Sequence, residues 1–498
     1  MKEEHRLLLA FLLSLLIILI YGSYYRKKYP VKKVYHPVEK KVVEERKDKF
    51  SLEYSPNLFQ FQNEYFVGKI DACGGLIKEI GLKNYVRENE KYFYIFENSL
   101  SLFDFCEDIN RWKKVKYDYR YSDGEIILEG RPYPYLKEEK RFKISPRKYS
   151  LKFSINFINK KKKSLKLKDY TIIGGKIHIG LRRNRYDVPV ILVKSKGRIY
   201  KKAIERIHQK IDFEDTSLIC CVSRYKMVLL QVEEKGNGFV VKEGENVVFG
   251  IKYSDLGIEK DYKIKGIFYA GPSDYFIASK EIKEDIFGRG LFVSIGRFLF
   301  FLLSQIHKVI PNWGWSIILL TLLIRAVFFP LTKSSLYSMK QLQKLRPYLK
   351  DIQQKYKDNP YQLQKELMNI YREYKINPFG GCIPFLIQIP IFIGFFIALR
   401  NSIFLRGAPF ILWIKDLSLP DTIFRIGKFP VNILPILMTI TSYIQQKFTP
   451  TDPSQRSLAY FIPLLFLFLF YNFSSGLLLY WVTMNIAAIL EQYFIYRK

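Results

Sequence analysis

A chain of 498 residues is long enough for two or three domains, and its formal net charge of +33 comes from 80 Lys and Arg against 47 Asp and Glu. On one soluble domain that excess would point to nucleic acid, but no RNA-binding signature or zinc spacing accompanies it, so no specific nucleic-acid partner is expected. Five scattered histidines and five cysteines match no metal-site spacing, and neither a metal nor a cofactor is expected. The bulk numbers also hide two halves. Before about residue 285 the chain is rich in Lys, Glu and Tyr; after it, Phe, Leu, Ile and Pro dominate in blocks long enough to cross a bilayer.

In chain order, an apolar run from Leu7 to Tyr21 follows Lys2 and Arg6. Residues 1–25 read as an uncleaved signal anchor with the N-terminus inside, because Tyr24, Tyr25, Arg26 and Lys27 follow the run rather than a small-x-small cleavage site. A cleavable signal peptide is the rival, for which Gly22-Ser23 leaves room. Residues 26–50 are charged, lack a durable apolar period and read as a linker reaching from the membrane surface.

Residues 51–284 read as a β-sandwich domain outside the cytoplasm. Leu151, Phe153, Ile155 and Phe157 alternate with Lys152, Ser154 and Asn156, the pattern of a half-buried antiparallel strand. Further strand-like runs lie at Glu125–Leu128, Val190–Val193, Leu218–Val232 and Tyr262–Tyr269. Turn signals separate them at Cys73-Gly74-Gly75, Ser122-Asp123-Gly124 and Lys235-Gly236-Asn237-Gly238. Cys73, Cys106, Cys220 and Cys221 fall in this part and Cys382 beyond it; buried thiols and one disulfide both remain open. Glu214-Asp215 is the nearest thing to an acid–base pair, and reads as a solvated loop. With no hydrolase elbow and no phosphate-binding glycine loop, the domain is given no catalytic role.

Residues 285–312 form an amphipathic segment. On a helical wheel Arg289, Arg297, Ser304, Gln305, His307 and Lys308 gather in one half, opposite Phe, Leu and Ile, which suits a helix lying in the membrane interface. Spanning is the alternative, and it would place the basic hairpin that follows outside, against the positive-inside tendency.

The segment WGWSIILLTLLIRAVFFPLT, Trp313 to Thr332, is the first span after it, anchored by Trp313 and Trp315 and expected to bend near Pro330. Arg325 sits near its middle. A charge there costs roughly 2.5–3.5 kcal/mol on insertion scales and marks a water-filled interior. Thr321, Arg325 and Thr332 stand at i, i+4 and i+11 and share one face. Residues 333–376 carry ten Lys and Arg against four Asp and Glu. Two apolar stripes (Met339, Leu342, Leu345, Leu349, Ile352, then Leu363, Leu367, Ile370, Tyr374) flank Asp358-Asn359-Pro360, an N-cap with Pro at the first helical position. They predict a cytoplasmic helical hairpin that contacts a partner or lipid headgroups.

The next span, Asn377 to Ile403, holds Pro378, Pro384, Pro390 and Gln388. Such breakers are tolerated in lipid only where neighbours re-satisfy the backbone. A loop with Trp413 and Asp416 leads to Val431–Lys447, with Thr439, Ser442 and Gln446 along one face, and then to Leu458–Phe473. Ser474-Ser475-Gly476 makes an outer turn into Leu477–Tyr496, whose Glu491 is the one carboxylate in any span after the anchor. Six spans result, with both ends in the cytoplasm. Glu491 lies nearer the cytoplasm than Arg325, so the arginine is expected to stand without an acidic partner at its own depth, a pairing being open if the helices tilt.

WGWSIILLTLLIRAVFFPLT, NPFGGCIPFLIQIPIF (377–392), APFILWIKDLS (408–418) and FSSGLLLYWVTMN (473–485) together resemble the YidC/Oxa/Alb family of membrane protein insertases, in the bacterial form with a large periplasmic domain. The resemblance covers 285–496. It implies an all-α membrane core over 313–498, five helices around a hydrophilic groove, beside the N-terminal anchor, and an all-β periplasmic β-supersandwich of carbohydrate-binding type. It implies a multi-pass protein of the bacterial inner membrane with residues 26–312 periplasmic. Arg325 takes the place of the groove arginine, and the hairpin that of a substrate-receiving element. Thr321, Thr332, Gln388, Thr439, Ser442 and Gln446 are the polar residues expected beside Arg325. Implied partners are nascent membrane proteins, the general secretion translocon, the lipid bilayer and, through the hairpin, the ribosome. Many relatives carry a basic tail for ribosome contact, whereas only Arg497 and Lys498 follow the last span here.

No nucleotide site is visible, so the expected mechanism is not enzymatic. A half-deep wet groove shortens the path of a polar stretch through hydrocarbon, Arg325 attracts its acidic residues, and burial of the apolar span in lipid drives the step. A solute transporter or channel with a carbohydrate-binding-like ectodomain is the alternative, since a deep Arg and broken helices also suit one. Against it, the spans show no inverted repeat. A chaperone acting only beside the secretion channel is the other rival.

Overall fold

The computed structural model describes residues 58–497 except 73–75, 87–90, 97–114, 168–169, 179–188, 244–245, 375–382, 449–455 and residues 162, 283, 285, 289 and 358. The expected anchor (1–25) and linker (26–50), with Cys73, Cys106, Cys382, Arg289 and the turn at 73–75, lie outside the described residues.

Residues 58–272 form an all-β domain. A four-stranded antiparallel sheet (Leu58–Gln62, Phe66–Asp71, Leu76–Leu82, Phe93–Phe96) accompanies an eleven-stranded one. Through the middle of the larger sheet run Ile211–Val222, Lys226–Glu243, Asp261–Pro272, Ser150–Asn159 and Leu136–Ile144, each paired antiparallel with the next. Strand Ser150–Asn159 buries Leu151, Phe153, Ile155 and Phe157, as its alternation predicts. Ser122-Asp123-Gly124 is a tight hairpin turn with Asp123 and Gly124 at φ 52° and 74°, the left-handed conformation such turns demand.

Two strand expectations need correction. The run Leu218–Val232 is a hairpin, broken at residues 223–225. Lys235-Gly236-Asn237-Gly238 is not a turn but the middle of the 18-residue strand Lys226–Glu243. Its glycines serve close approach: a Cβ on Gly238 would meet Thr216 Oγ1 at 2.7 Å, and one on Gly236 the Lys252 carbonyl at 2.8 Å. At this point the strand leaves Asp261–Pro272 for Asn246–Tyr253. Glu214 and Asp215 are surface ion-pair partners of Lys196 and Lys235, in keeping with a solvated site. Cys220 and Cys221 are both buried, and burial pushes the Cys220 thiol up to about 12.

The rest is helical apart from an antiparallel hairpin of Thr422–Ile426 and Phe429–Asn432: α1 (Tyr275–Ala278), α2 (Leu291–Val309), α3 (Trp313–Lys355), α4 (Pro360–Glu373), α5 (Ile383–Asn401), α6 (Leu434–Phe448), α7 (Arg456–Phe470) and α8 (Ser475–Arg497). Helix α2 buries Gly296, Leu299, Phe300 and Leu303 and exposes Phe298 and Phe301. It crosses α5 glycine to glycine: a Cβ on Gly296 would lie 2.9 Å from the Gly394 carbonyl, and one on Gly394 2.6 Å from Ile295 Cγ2. Helix α3 starts at Asn312, whose side chain accepts from Trp315 N at 3.2 Å. It runs 43 residues through Pro330 and Pro347, so the span and the first arm of the hairpin are one helix. Each proline removes one backbone donor, yet the helix continues through both. Asn359 caps α4, with Pro360 at its first position.

Among the described residues, three helical stretches are long and apolar enough to cross a membrane, Leu291–Val309, Trp313–Leu342 and Ser475–Ile495; Gln388–Asn401 and Tyr460–Phe470 are apolar but shorter. Helix α8 is the hub, packed on α3, α5 and α6, with α7 against α6.

Candidate functional site

Helix α3 turns Thr321, Arg325 and Thr332 to one side, and α5 and α8 face them with Gln388, Ile391, Tyr480 and Met484. Together with Ile324, Phe328 and Leu331 these residues line an open cavity of about 460 Å³. The two threonines are already satisfied, Thr321 Oγ1 donating to Ile317 O at 2.7 Å and Thr332 Oγ1 to Phe328 O at 3.1 Å. Their oxygens remain acceptors toward the cavity. Gln388 Nε2 sits 2.6 Å from Met484 Sδ, joining α5 to α8 across the floor. Behind it Phe395 stacks on Tyr480 with centroids 4.4 Å apart.

Arg325 does have an acidic partner, which corrects the expected picture of a cation standing alone. Its Nη2 lies 2.9 Å from Glu491 Oε2, with both side chains about 15% exposed (16% and 14%). Arg325 stands twelve residues into α3 and Glu491 sixteen into α8. The depth difference is therefore about one helical turn, roughly 6 Å at 1.5 Å per residue, which an arginine side chain spans. The contact is incomplete: Arg325 Nε and Glu491 Oε2 are buried without an aligned hydrogen bond.

The end of the bundle that carries the β domain is plugged. Leu405, Ile414 and Leu417 of the 402–421 loop pack with Leu434 and Leu477. Asp421 Oδ2 accepts from Ile433 N, Leu434 N and Trp413 Nε1 at 3.0, 2.7 and 3.1 Å. Burial raises its pKa while those donors pull it down. Ser475 N and Gly476 N donate to Leu419 O and Leu417 O.

Four of the seven expected groove residues thus come together: Thr321, Arg325, Thr332 and Gln388. Thr439, Ser442 and Gln446 of α6 do not line the cavity. Thr439 Oγ1 donates to Pro435 O at 2.9 Å, and Ser442 Oγ accepts from Asn485 Nδ2 at 2.8 Å. Asn485, 2% exposed, also donates to Thr441 Oγ1 at 3.0 Å and so ties α8 to α6. Of the α8 residues Glu491 was read in the sequence but Tyr480 and Met484 were not, although Tyr480, Met484 and Glu491 repeat the i, i+4, i+11 spacing of Thr321, Arg325 and Thr332. Two matching polar stripes on different spans were the available signal.

The family described as "60Kd inner membrane protein" matches residues 305–498. A curated relative, the "Membrane protein insertase YidC" of Endomicrobium trichonymphae, is 43% identical over 244 residues, 48% of this chain and 47% of its own length. The protein of the same name from Wolinella succinogenes is 37% identical over 311 residues, 61% of this chain and 56% of its own. The chain spans about half the length of these relatives. A solved structure titled "Active YidC insertase crystal structure with the first transmembrane domain resolved" is 19% identical, covering 88% of this chain and 93% of that one at a TM-score of 0.40. The family match and these two relatives bear out, on the membrane half, the resemblance to the YidC/Oxa/Alb insertases read from the sequence.

Proposed function

We propose that the chain inserts proteins into the inner membrane and assists their folding, using the cavity between α3, α5 and α8 as a hydrophilic groove. The observation that carries the reading is Arg325, a cation held half-deep on the wall of an open cavity within the family-matched stretch. A polar segment entering the groove keeps its backbone and charges solvated over part of the crossing, where hydrocarbon would leave them unsatisfied. Thr321, Thr332 and Gln388 offer it hydrogen bonds. The apolar span of the substrate then moves sideways into lipid, and its burial drives the step.

Glu491 acts as a placeholder. It holds the guanidinium at rest through an imperfect contact, which an incoming carboxylate exchanges for its own. Because charge is exchanged rather than newly buried, the desolvation cost of capture is small. In this reading α2 lies in the interface, the β domain (51–284) faces the periplasm, and the hairpin of α3 and α4 faces the cytoplasm, where it receives nascent membrane proteins from the ribosome. The chain works alone or beside the general secretion translocon.

The test is insertion of a short single-span substrate with an acidic N-terminal tail into vesicles containing the purified protein. Insertion is expected to fall severalfold in Arg325→Ala, and much less for a substrate with a neutral tail. Unchanged insertion of the acidic substrate by Arg325→Ala sinks the proposal.

A further inference from the structure

Thr422–Ile426 and Phe429–Asn432 pair as a hairpin between α5 and α6, at the end of the bundle that carries the β domain. Its base is fixed. Thr422 Oγ1 donates to Asn432 Oδ1 at 2.6 Å, and the buried Asn432 donates from Nδ2 to the Tyr471 carbonyl at 2.8 Å. Tyr471, the residue after α7, donates its hydroxyl to Pro430 O at 2.8 Å. Gly427 sets the turn, with the positive φ (60°) that the first position of a two-residue loop demands. Above that base the blade stands clear, and every residue from Ile423 to Phe429 is exposed.

The blade is also two-faced. Strand side chains alternate between faces, and the pairings Phe424 with Val431 and Ile426 with Phe429 put these four on one side. Arg425 and Pro430, paired with each other, take the opposite side. That is the pattern of a strand whose apolar face is covered, yet Phe424, Ile426 and Phe429 are 55%, 67% and 62% exposed.

We propose that this hairpin is seated in the bilayer leaflet on the β-domain side, its apolar face toward the acyl chains and Arg425 and Lys428 among the headgroup phosphates. The placement rests on the reading of α6 and α7 as membrane spans, not on insertase activity. Three observations favour lipid as the occupant. First, the face continues surfaces that meet lipid in that reading. Helix α6 begins two residues after the hairpin and exposes Ile436, Ile440 and Ile444, one stripe at a spacing of four. The Phe429 ring lies 5.4 Å from that of Tyr471, at the end of α7. Second, the charged residues of the hairpin are both basic and both exposed, Arg425 behind the apolar face and Lys428 at the turn. Cations bordering an apolar face match phosphates above acyl chains. Third, the feature is a projecting blade, which a bilayer accepts without a preformed pocket. Asp421 and Asn432 bond the hairpin to the start of α6 and the end of α7, so a seated blade fixes the depth of both helices.

The experiment places benzoylphenylalanine in the full chain, at Phe424, Ile426 or Arg425 in turn. Each variant is reconstituted in vesicles of phosphatidylethanolamine and phosphatidylglycerol, irradiated, and weighed intact by mass spectrometry. Phe424→benzoylphenylalanine and Ile426→benzoylphenylalanine are expected to gain the mass of one phospholipid severalfold more often than Arg425→benzoylphenylalanine. Ile426 adjoins the exposed turn, so its variant carries the test if the one at Phe424 fails to fold by circular dichroism. Equal lipid adducts at Ile426 and Arg425 overturn the proposal. So does a protein as the main product at Phe424 and Ile426, either a second copy of the chain in the vesicles or another protein in native membranes, since the face would then be a protein interface. No insertion is measured, so failure here leaves the insertase reading standing.

Discussion

Each half of this protein buries an ion pair, and the two are built in opposite ways. In the β domain Glu138 and Lys140 are both fully buried, their charged atoms 3.9 Å apart. Tyr117 and Tyr170 donate to the two Glu138 oxygens, the latter at 3.1 Å, and Lys140 Nζ lies 4.7 Å over the Tyr117 ring. In the bundle, Arg325 and Glu491 touch at 2.9 Å but keep some exposure; Arg325 borders an open cavity and its Nε has no acceptor. A closed, fully bonded pair specifies a structure. A half-satisfied pair beside water can change partners.

The largest predicted effect lies in the sealed pair. Glu138→Ala removes the acceptor of two tyrosines and the carboxylate beside a buried ammonium, and should destabilise the β domain by about 3–5 kcal/mol. A urea melt followed by circular dichroism reads it, and a loss below about 1 kcal/mol would mean that water reaches the site and the contrast is false.

Asp274 sharpens the comparison, because it is a buried carboxylate that no cation pairs with among the described residues. It caps α1, accepting from Phe276 N at 2.9 Å, and burial raises its pKa to about 6 against the pull of the backbone amides. With the folded value above the unfolded one, the stability it contributes is fully present below about pH 4 and lost as pH rises through about 6. Asp274→Asn keeps the cap and removes the charge. It should be more stable than the wild type at pH 7, by about 1–3 kcal/mol, with the gap closing near pH 4. A constant gap between melting curves at the two pH values would count against this account.

How much of this was legible beforehand depended on what the residue had to declare. Leu151 to Phe157 announced a strand because alternation is a local property, and Arg325 pointed to a cavity because a charge in an apolar run is costly and its reach to either surface is strained. Lys140 could not be read that way. LKEEKRFKI, Leu136 to Ile144, looks like a polar edge, and only the neighbouring strands make Glu138 and Lys140 inward-facing. Glu491 was visible, but its pairing depended on how α8 is set against α3 in depth, which no single-helix pattern encodes. Gly236 and Gly238 misled for the same reason: close approach by Thr216 and Lys252 is a tertiary fact, and in sequence it mimics a turn.

Asn485 tests whether the membrane half also contains a sealed polar contact. Its amide joins Ser442 and Thr441 across the α6–α8 seam and is nearly inaccessible. Asn485→Leu should cost about 1 kcal/mol, the usual worth of an interhelical hydrogen bond in a bilayer, read as a lower midpoint in a detergent-mixture unfolding titration. No change at all would place these hydroxyls in contact with water and extend the wet region to α6.

Glu491→Gln is the substitution on which the two designs differ most, and its predicted effect on stability is the smallest. If the Arg325 pair were sealed like that of Lys140, losing the carboxylate would cost about 3–5 kcal/mol. Beside an open cavity, water and the hydroxyls of the groove replace Glu491, and the loss should stay under about 1 kcal/mol. Function should move the other way. With the placeholder neutral, Arg325 no longer has to exchange one carboxylate for another, so capture of an acidic-tailed substrate, measured by crosslinking from a groove position, should rise while that of a neutral-tailed one stays level. A large stability loss with no gain in capture would show Glu491 to be a structural partner, and the groove would then need another source for its attraction to acidic segments.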